Sequence, residues 1–231
     1  MILAAGVGSR LRPLTNNTPK ALLPFQGKTM LEHVLDQLKS HGINEVIINL
    51  HHLGEQIERF VGRHHSFGMK IAFSDECDEL LDTGGGMMRA WWFLDEAPFI
   101  VHNVDIKTNL DYNGLYRFHL EKGALATLAV KNRSTSRNLL TDEHGLLCGW
   151  RNNQTGEEII VRRKQGLKPV AFSGIHVADP KLFHLVKTRK PFSIIKKYLE
   201  LAGQFDIRTF DHSDDSWTDM AHRDNFKDAT S

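Results

Sequence analysis

Two rhythms of apolar residues alternate along the first half of the chain. Val46-Ile47-Ile48-Asn49-Leu50 and Phe99-Ile100-Val101 are short, nearly unbroken apolar runs of the kind buried on both faces of a parallel sheet. From Thr29 to Ser40 the apolar positions Met30, Leu31, Val34, Leu35 and Leu38 recur at helical spacing, and Gly42 stands where a C-terminal cap is expected. Leu53 to Val61 and Gly86 to Leu94 read as further helices, and Lys70 to Phe73 as a strand. Strands alternating with helices predict an α/β fold, a Rossmann-like, mainly parallel mixed sheet with helices on both faces. The opening strand begins at Met1 or Ile2, brief for a central strand, which predicts a natural N-terminus that is trimmed or unusually short.

The second half is less regular. Leu125 to Val130, Val170 to Val177 and Phe205 to Phe210 read as strands, and Phe192 to Leu201 as a helix. Leu139-Leu140 and Leu146 to Trp150 flank Asp142-Glu143-His144-Gly145, a hairpin turn by composition. The polar, basic stretch 151–168 predicts an exposed hairpin or mobile loop. With no repeat, low-complexity tract or linker, a single domain over 1–231 is expected, with a more regular half near 1–110 and a less regular one near 111–231.

Composition narrows the function classes. A chain of 231 residues with 41% hydrophobic content can bury a full core, and a formal net charge of +1 gives no global field for nucleic acid or an anionic membrane. The two cysteines, Cys77 and Cys148, lack metal-type spacing and read as reduced thiols. Without a transmembrane-length apolar run or a signal peptide, a cytoplasmic protein is expected, a monomer or homodimer.

The chemistry concentrates in Leu3-Ala4-Ala5-Gly6-Val7-Gly8-Ser9-Arg10-Leu11 and its continuation through Pro13-Leu14-Thr15 to Pro19-Lys20. Gly6 and Gly8 let backbone N–H groups approach phosphate oxygens, and Arg10 and Lys20 supply charge to neutralise them. A dinucleotide fingerprint fails because Leu11 holds the place of its third glycine. A Walker loop ending in Gly27-Lys28-Thr29 fails because Leu22 holds the place of its first glycine.

Residues 2–24 resemble the signature of the sugar-1-phosphate nucleotidyltransferases, and further matches follow in that family's order. These are Leu81-Asp82-Thr83-Gly84-Gly85-Gly86, His102-Asn103-Val104-Asp105, Phe172-Ser173-Gly174-Ile175 and Trp217-Thr218-Asp219-Met220. The chain is most similar to short single-domain members resembling N-acetylmuramate-1-phosphate uridylyltransferase. The resemblance implies attack by a sugar 1-phosphate on the α-phosphate of a nucleoside triphosphate, UTP or dTTP first, giving a nucleotide sugar for cell-envelope synthesis and pyrophosphate. It implies Mg²⁺ as cofactor, held by Asp105 and Asp219, with Arg10, Lys20 and Asp105 catalytic. Leu3, Ala4, Ala5, Gly6, Gly8, Ser9, Thr83, Gly84 and Gly85 would bind the nucleotide, the glycine run opening a helix with exposed donors. Asn49, Asn103, Gly174 and Lys168 would bind the sugar phosphate.

The chain departs from the common pattern where Val104 and Ala221 replace glycines, adding a Cβ near the pocket. His51-His52 and His64-His65 lack the partners of a zinc site, and Trp91-Trp92-Phe93 is expected to pack on the sheet. Arg162-Arg163-Lys164 reads as a solvated loop. Two other functions fit the same motifs: cytidylyl transfer to phosphocholine or a similar acceptor, and a non-catalytic nucleotide-binding regulatory subunit.

Overall fold

The computed structural model describes residues 1–76, 79–188 and 190–230. The chain opens with β1 (Ile2–Leu3) and passes through short 3-10 turns into a ribbon of β2 (Pro24–Phe25) and β3 (Lys28–Thr29). There follow α1 (Met30–Ser40), β4 (Glu45–Leu50), α2 (Gly54–Arg63), β5 (Lys70–Asp75), α3 (Asp82–Arg89), α4 (Trp91–Leu94), β6 (Phe99–Asn103), β7 (Ile106–Thr108) and α5 (Tyr112–Lys122). The second half carries β8 (Ala126–Lys131), β9 (Arg137–Thr141), β10 (Leu147–Asn152), β11 (Glu158–Ile160), β12 (Lys168–Ala178), α6 (Lys181–Leu185), α7 (Ile194–Leu201), β13 (Ile207–Asp211) and β14 (Trp217–Asp219).

Among the described residues ten strands form the main sheet, with β11-β10-β9-β12-β6-β1-β4-β5 in order, β8 beside β12 and β13 on the other side of β8. The core strands β6, β1, β4 and β5 are parallel, whereas β12 runs antiparallel to β6 and β8. In register, Leu3 lies between Asn49 and Asn103, so the parallel strands end together at one edge of the sheet. That edge is where open α/β sheets place ligands. A separate two-stranded ribbon, β7 with β14, stands just beyond it.

Local chemistry explains the best-read elements. Helix α1 buries Met30, Leu31, Val34, Leu35 and Leu38, the stripe that its sequence spacing predicts. Its start is fixed by a capping box: Glu32 N–H donates to Thr29 Oγ1 at 3.2 Å and Thr29 N–H to Glu32 Oε2 at 2.7 Å. In the second hairpin, Asp142 Oδ1 accepts the N–H groups of His144 and Leu146, turning β9 into β10. Residues 158–160 then add an edge strand to β10, so the polar stretch is an exposed hairpin in part.

Several expectations are corrected. The helix expected from Gly86 begins at Asp82 and breaks at Ala90, which places the glycine run inside α3. Trp91 and Trp92 are 54% and 53% exposed and do not pack on the sheet, whereas Phe93 packs against the core as expected and Leu94 is buried. Arg162 is anchored: it donates to the carbonyls of Ala202 and Phe205 and pairs with Asp206. Cys148 is a buried free thiol, and Cys77 lies outside the described residues. Among the described residues no helix is long and apolar enough to cross a membrane.

Two buried histidines make the fold sensitive to acid. Burial pushes His102 down to about 4 and His176 down to about 3. His102 has partners, the Asn103 carbonyl and the Tyr112 hydroxyl, each at 2.8 Å from a ring nitrogen. Neither ring nitrogen of His176 has a hydrogen-bond partner among the described residues. Both rings are neutral when folded, whereas an unfolded chain protonates them near 6.5. Stability is therefore unaffected by them above that pH and falls as pH drops toward 4 and 3, by up to about 1.4 kcal/mol per pH unit for each ring. Urea midpoints measured across this range should fall with pH. His176→Leu should change stability by less than about 1.5 kcal/mol at neutral pH and flatten the acid slope. An unchanged slope would contradict the assignment.

Candidate active site

The loop after β1 is held from below by a polar bridge. Asn49 Oδ1 accepts the N–H groups of Ala4 at 2.7 Å and Ala5 at 3.4 Å, and its Nδ2 donates to Glu76 Oε1 at 2.7 Å. Glu76 Oε2 accepts the Leu81 N–H at 3.0 Å, just before α3. Asn49 is 3% exposed and Glu76 fully buried, so one carboxylate ties the glycine loop to the glycine helix. Burial raises the Glu76 pKa, opposed by the Leu81 N–H, the Asn49 amide, His51 and Arg89. Asn49, expected to meet the sugar phosphate, has its amide engaged by the Ala4 and Ala5 N–H groups and by Glu76.

Gly8 sits at φ 60°, and a Cβ there would meet Thr15 Cγ2 at 2.7 Å. Thr15 in turn donates its hydroxyl to the Gly8 carbonyl at 2.9 Å, which closes the loop. Gly6 is exposed, and its missing Cβ would lie 3.9 Å from Lys20 Nζ. The ammonium of Lys20 thus stands over the bare backbone of the loop. Ser9 and Arg10 are exposed at its rim, and the Arg10 carbonyl accepts from Arg223 Nε at 2.9 Å.

Lys20 Nζ reaches across to Asp105 Oδ2 at 2.7 Å, with the two side chains only 16% and 10% exposed. Asp105 immediately precedes β7, and Asp219 ends β14. These strands pair antiparallel with Asp219 opposite Ile106, and Met220 N–H donates to the Asp105 carbonyl at 2.7 Å. The ribbon therefore fixes the two aspartates as neighbours. Burial first and Asp105 second raise the Asp219 pKa, opposed by the Ala221 N–H and by Arg10 and Lys20. Two anions and two cations share one electrostatic neighbourhood. Val104 and Ala221 turn into the core at 0% and 3% exposure, so the Cβ atoms that they add do not line the pocket.

The glycine run has a packing role. Gly84, Gly85 and Gly86 are buried, and the Gly84 N–H already donates to the Phe192 carbonyl at 2.9 Å. A Cβ on Gly84 would meet the Phe192 ring at 2.1 Å, and one on Gly86 would meet Glu76 Oε1 at 2.5 Å. Thr83 Oγ1 accepts the Ile194 N–H at 3.0 Å, so α3 is clamped to the start of α7. In this structure the Gly84 donor is therefore engaged, in contrast to the open donors expected from a helix start.

Gly174, one of the residues expected to meet the sugar phosphate, occupies a bulge of β12 at φ 79°, and a Cβ there would lie 2.9 Å from Asn103 Nδ2. Gly174 and Asn103 are thus brought together beside Ile106. Lys168 is exposed at the far end of β12, paired with Thr141 and roughly 20 Å of strand from Gly174. It is not brought to the site. Two residues absent from the sequence reading are present instead, Glu76 and Arg133. Glu76 carried a readable signal, an acid just past a strand end, as at Asp105; Arg133 sits in a polar loop whose place only the tertiary fold reveals.

Comparison with known proteins identifies the family and the fold. A family model described as nucleotidyl transferase matches residues 1–138. An N-acetylmuramate alpha-1-phosphate uridylyltransferase of Neisseria meningitidis is 43% identical over 117 residues, 51% of this chain and 51% of the relative. A UTP–glucose-1-phosphate uridylyltransferase of Synechocystis sp. is 28% identical over 209 residues, 84% of this chain and 52% of the relative. The matched span is about half the length of these curated relatives. Among solved structures, HddC from Yersinia pseudotuberculosis, crystallised with GMP-PN, has a TM-score of 0.79 over 99% of this chain and 96% of that one, at 22% identity. That likeness concerns the fold.

The packing of α3 on Phe192 is open to a direct test. Gly84→Ala forces a methyl against the ring and should cost about 1–3 kcal/mol in chemical denaturation. In a Phe192→Ala background the same change should cost markedly less. Equal costs in both backgrounds would show that the ring does not set the glycine requirement.

Proposed function

Because the chain belongs to the nucleotidyl transferase family, we propose that it joins a nucleoside triphosphate to a sugar 1-phosphate, releasing pyrophosphate. The observation that carries this reading is the Lys20–Asp105 pair set beside Asp219 and Arg10 at the carboxyl edge of the sheet. A phosphate oxygen of the acceptor is already anionic and needs no general base. It attacks the α-phosphorus, a new P–O bond forms, and the bond to the bridging oxygen breaks as pyrophosphate leaves with the electron pair. The demand on the protein is alignment and neutralisation of crowded negative charge.

The residues divide that work. Gly6 leaves the loop backbone open to the phosphates, Gly8 makes the left-handed turn that packs on Thr15, Arg10 covers the rim, and Lys20 offers its ammonium to the triphosphate in exchange for Asp105. The site also fits a divalent cation. Asp105 and Asp219 are buried or half-buried, and burial together with the neighbouring Asp105 raises the Asp219 pKa, a cost that a cation would relieve. Among the described residues no group of three or more His, Cys, Asp or Glu could hold a metal, so the two aspartates would leave further coordination positions to phosphate and water. Mg²⁺ bound there would withdraw charge from the phosphate oxygens. Uridylyl transfer comes first, with thymidylyl transfer next, because both curated relatives named above are uridylyltransferases.

Pyrophosphate release measured with UTP, dTTP, CTP, GTP and ATP against a panel of sugar 1-phosphates and phosphocholine tests this reading. Turnover should require a sugar 1-phosphate and a divalent cation, and it should be highest with UTP or dTTP. Asp105→Asn and Asp219→Asn should each lower turnover by at least about a hundredfold while the protein stays folded. Near-normal turnover in either variant removes that residue from the mechanism. Lys20→Ala should lower the rate with every triphosphate alike; a changed base preference would contradict its assignment to the phosphates.

A further inference from the structure

An acceptor that brings a phosphate dianion toward Asp105 and Asp219 needs its own cation, distinct from those that face the triphosphate. Lys168 is too far away to serve. Arg133, just beyond the end of β8, lies where such a cation is required. Its guanidinium stacks 4.0 Å above the Trp217 ring, and its Nη2 donates to the Phe172 carbonyl at 2.9 Å. Trp217 and Asp219 are two residues apart on β14 and so share a face of the ribbon. Phe172 opens the bulge that carries Gly174 against Asn103. The guanidinium is thus fixed by a ring two residues before Asp219 and a carbonyl two residues before Gly174.

The surroundings hold that position firmly. Trp217 Nε1 donates to the Ser173 carbonyl at 2.9 Å, which locks the ring under the guanidinium. Lys131, 8% exposed, donates to the carbonyls of His212, Ser213 and Asp215, fixing the loop that leads into β14. Arg133 remains half-buried and within Coulombic reach of Asp219. Nη2 uses one donor on Phe172 and Nη1 makes a long 3.5 Å contact with the Ser134 carbonyl, which leaves each nitrogen of the planar fork a second N–H that a phosphate can accept.

From this placement we infer that Arg133 binds the phosphate of the acceptor, so that the aspartate pair lies between a donor-side set, Arg10 and Lys20, and an acceptor-side cation. The inference rests on the nucleotidyl-transfer reading and assigns one of its two substrates to a residue. It also predicts a kinetic split. A residue that only braced Trp217 would disturb both substrates together by displacing Asp219, whereas a phosphate ligand acts on the acceptor alone.

Steady-state rates of pyrophosphate release by the full chain distinguish these cases, using the triphosphate and sugar 1-phosphate that turn over fastest in the panel above. Arg133→Met should raise the KM for the sugar 1-phosphate by about ten- to a hundredfold, as expected for the loss of a charge-assisted contact. The KM for the triphosphate should stay within about twofold, and Arg133→Lys should recover part of the acceptor affinity. An acceptor KM that moves less than about twofold, or two KM values that rise together, overturns the inference while leaving nucleotidyl transfer standing. Absence of wild-type turnover with every acceptor overturns the underlying reading as well. If the melting transition shows Arg133→Met unfolded, Arg133→Gln and Arg133→Lys carry the same comparison.

Discussion

Two carboxylates forced into company by a short β ribbon set the terms for everything around them. Pairing of β7 with β14 brings Asp219 alongside the chain that follows Asp105, although 113 positions separate them, as counted from 105 to 219 exclusive. Burial first, and the neighbouring Asp105 second, raise the Asp219 pKa. Lys20 compensates Asp105 at 2.7 Å in a nearly dry setting. Removing one partner of such a buried pair costs about 3–5 kcal/mol, far above the ~1 kcal/mol of an exposed ion pair. Lys20 is therefore a brace for the site as well as the cation that the proposed reaction assigns to the phosphates.

Behind that pair, the parallel sheet works as a levelling device. Leu3, Asn49 and Asn103 end side by side, and Asn49 and Glu76 carry this level sideways to the glycine helix. The glycines of α3 are required by what they touch: Phe192 against Gly84, and Glu76 with Asn49 against Gly86. A glycine run that looks like a flexible turn is a packing surface, and the flexibility it suggests is absent because each missing Cβ is replaced by a neighbour.

What the sequence revealed follows from how local each signal is. Helix α1, the parallel strands and the Asp142 turn rest on periodicity and capping within a dozen residues, and they were legible. Helix α5 was not, since Tyr112 and His119 take apolar positions and Gly114 interrupts the pattern. The β7–β14 ribbon has only three residues per strand and pairs segments from opposite halves of the chain, so no window could display it; family resemblance alone suggested that its aspartates meet. At the site, Arg10, Lys20, Asp105 and Asp219 were legible as a constellation. The part of Asn49 was not, because the direction of a strand-end amide is set by its neighbour Glu76, and Arg133 was hidden because its position depends on Trp217 and Phe172.

The central claim is that the paired aspartates and the cationic loop opposite them form a single site for a triphosphate and a divalent cation. Manganese uptake followed by electron paramagnetic resonance, with and without a non-hydrolysable uridine triphosphate analogue, addresses it without relying on turnover. The account predicts that the analogue strengthens Mn²⁺ binding to the wild-type chain, and that Asp105→Asn and Asp219→Asn each abolish the gain. Mn²⁺ binding that is indifferent to the analogue, or that survives both substitutions, would contradict it.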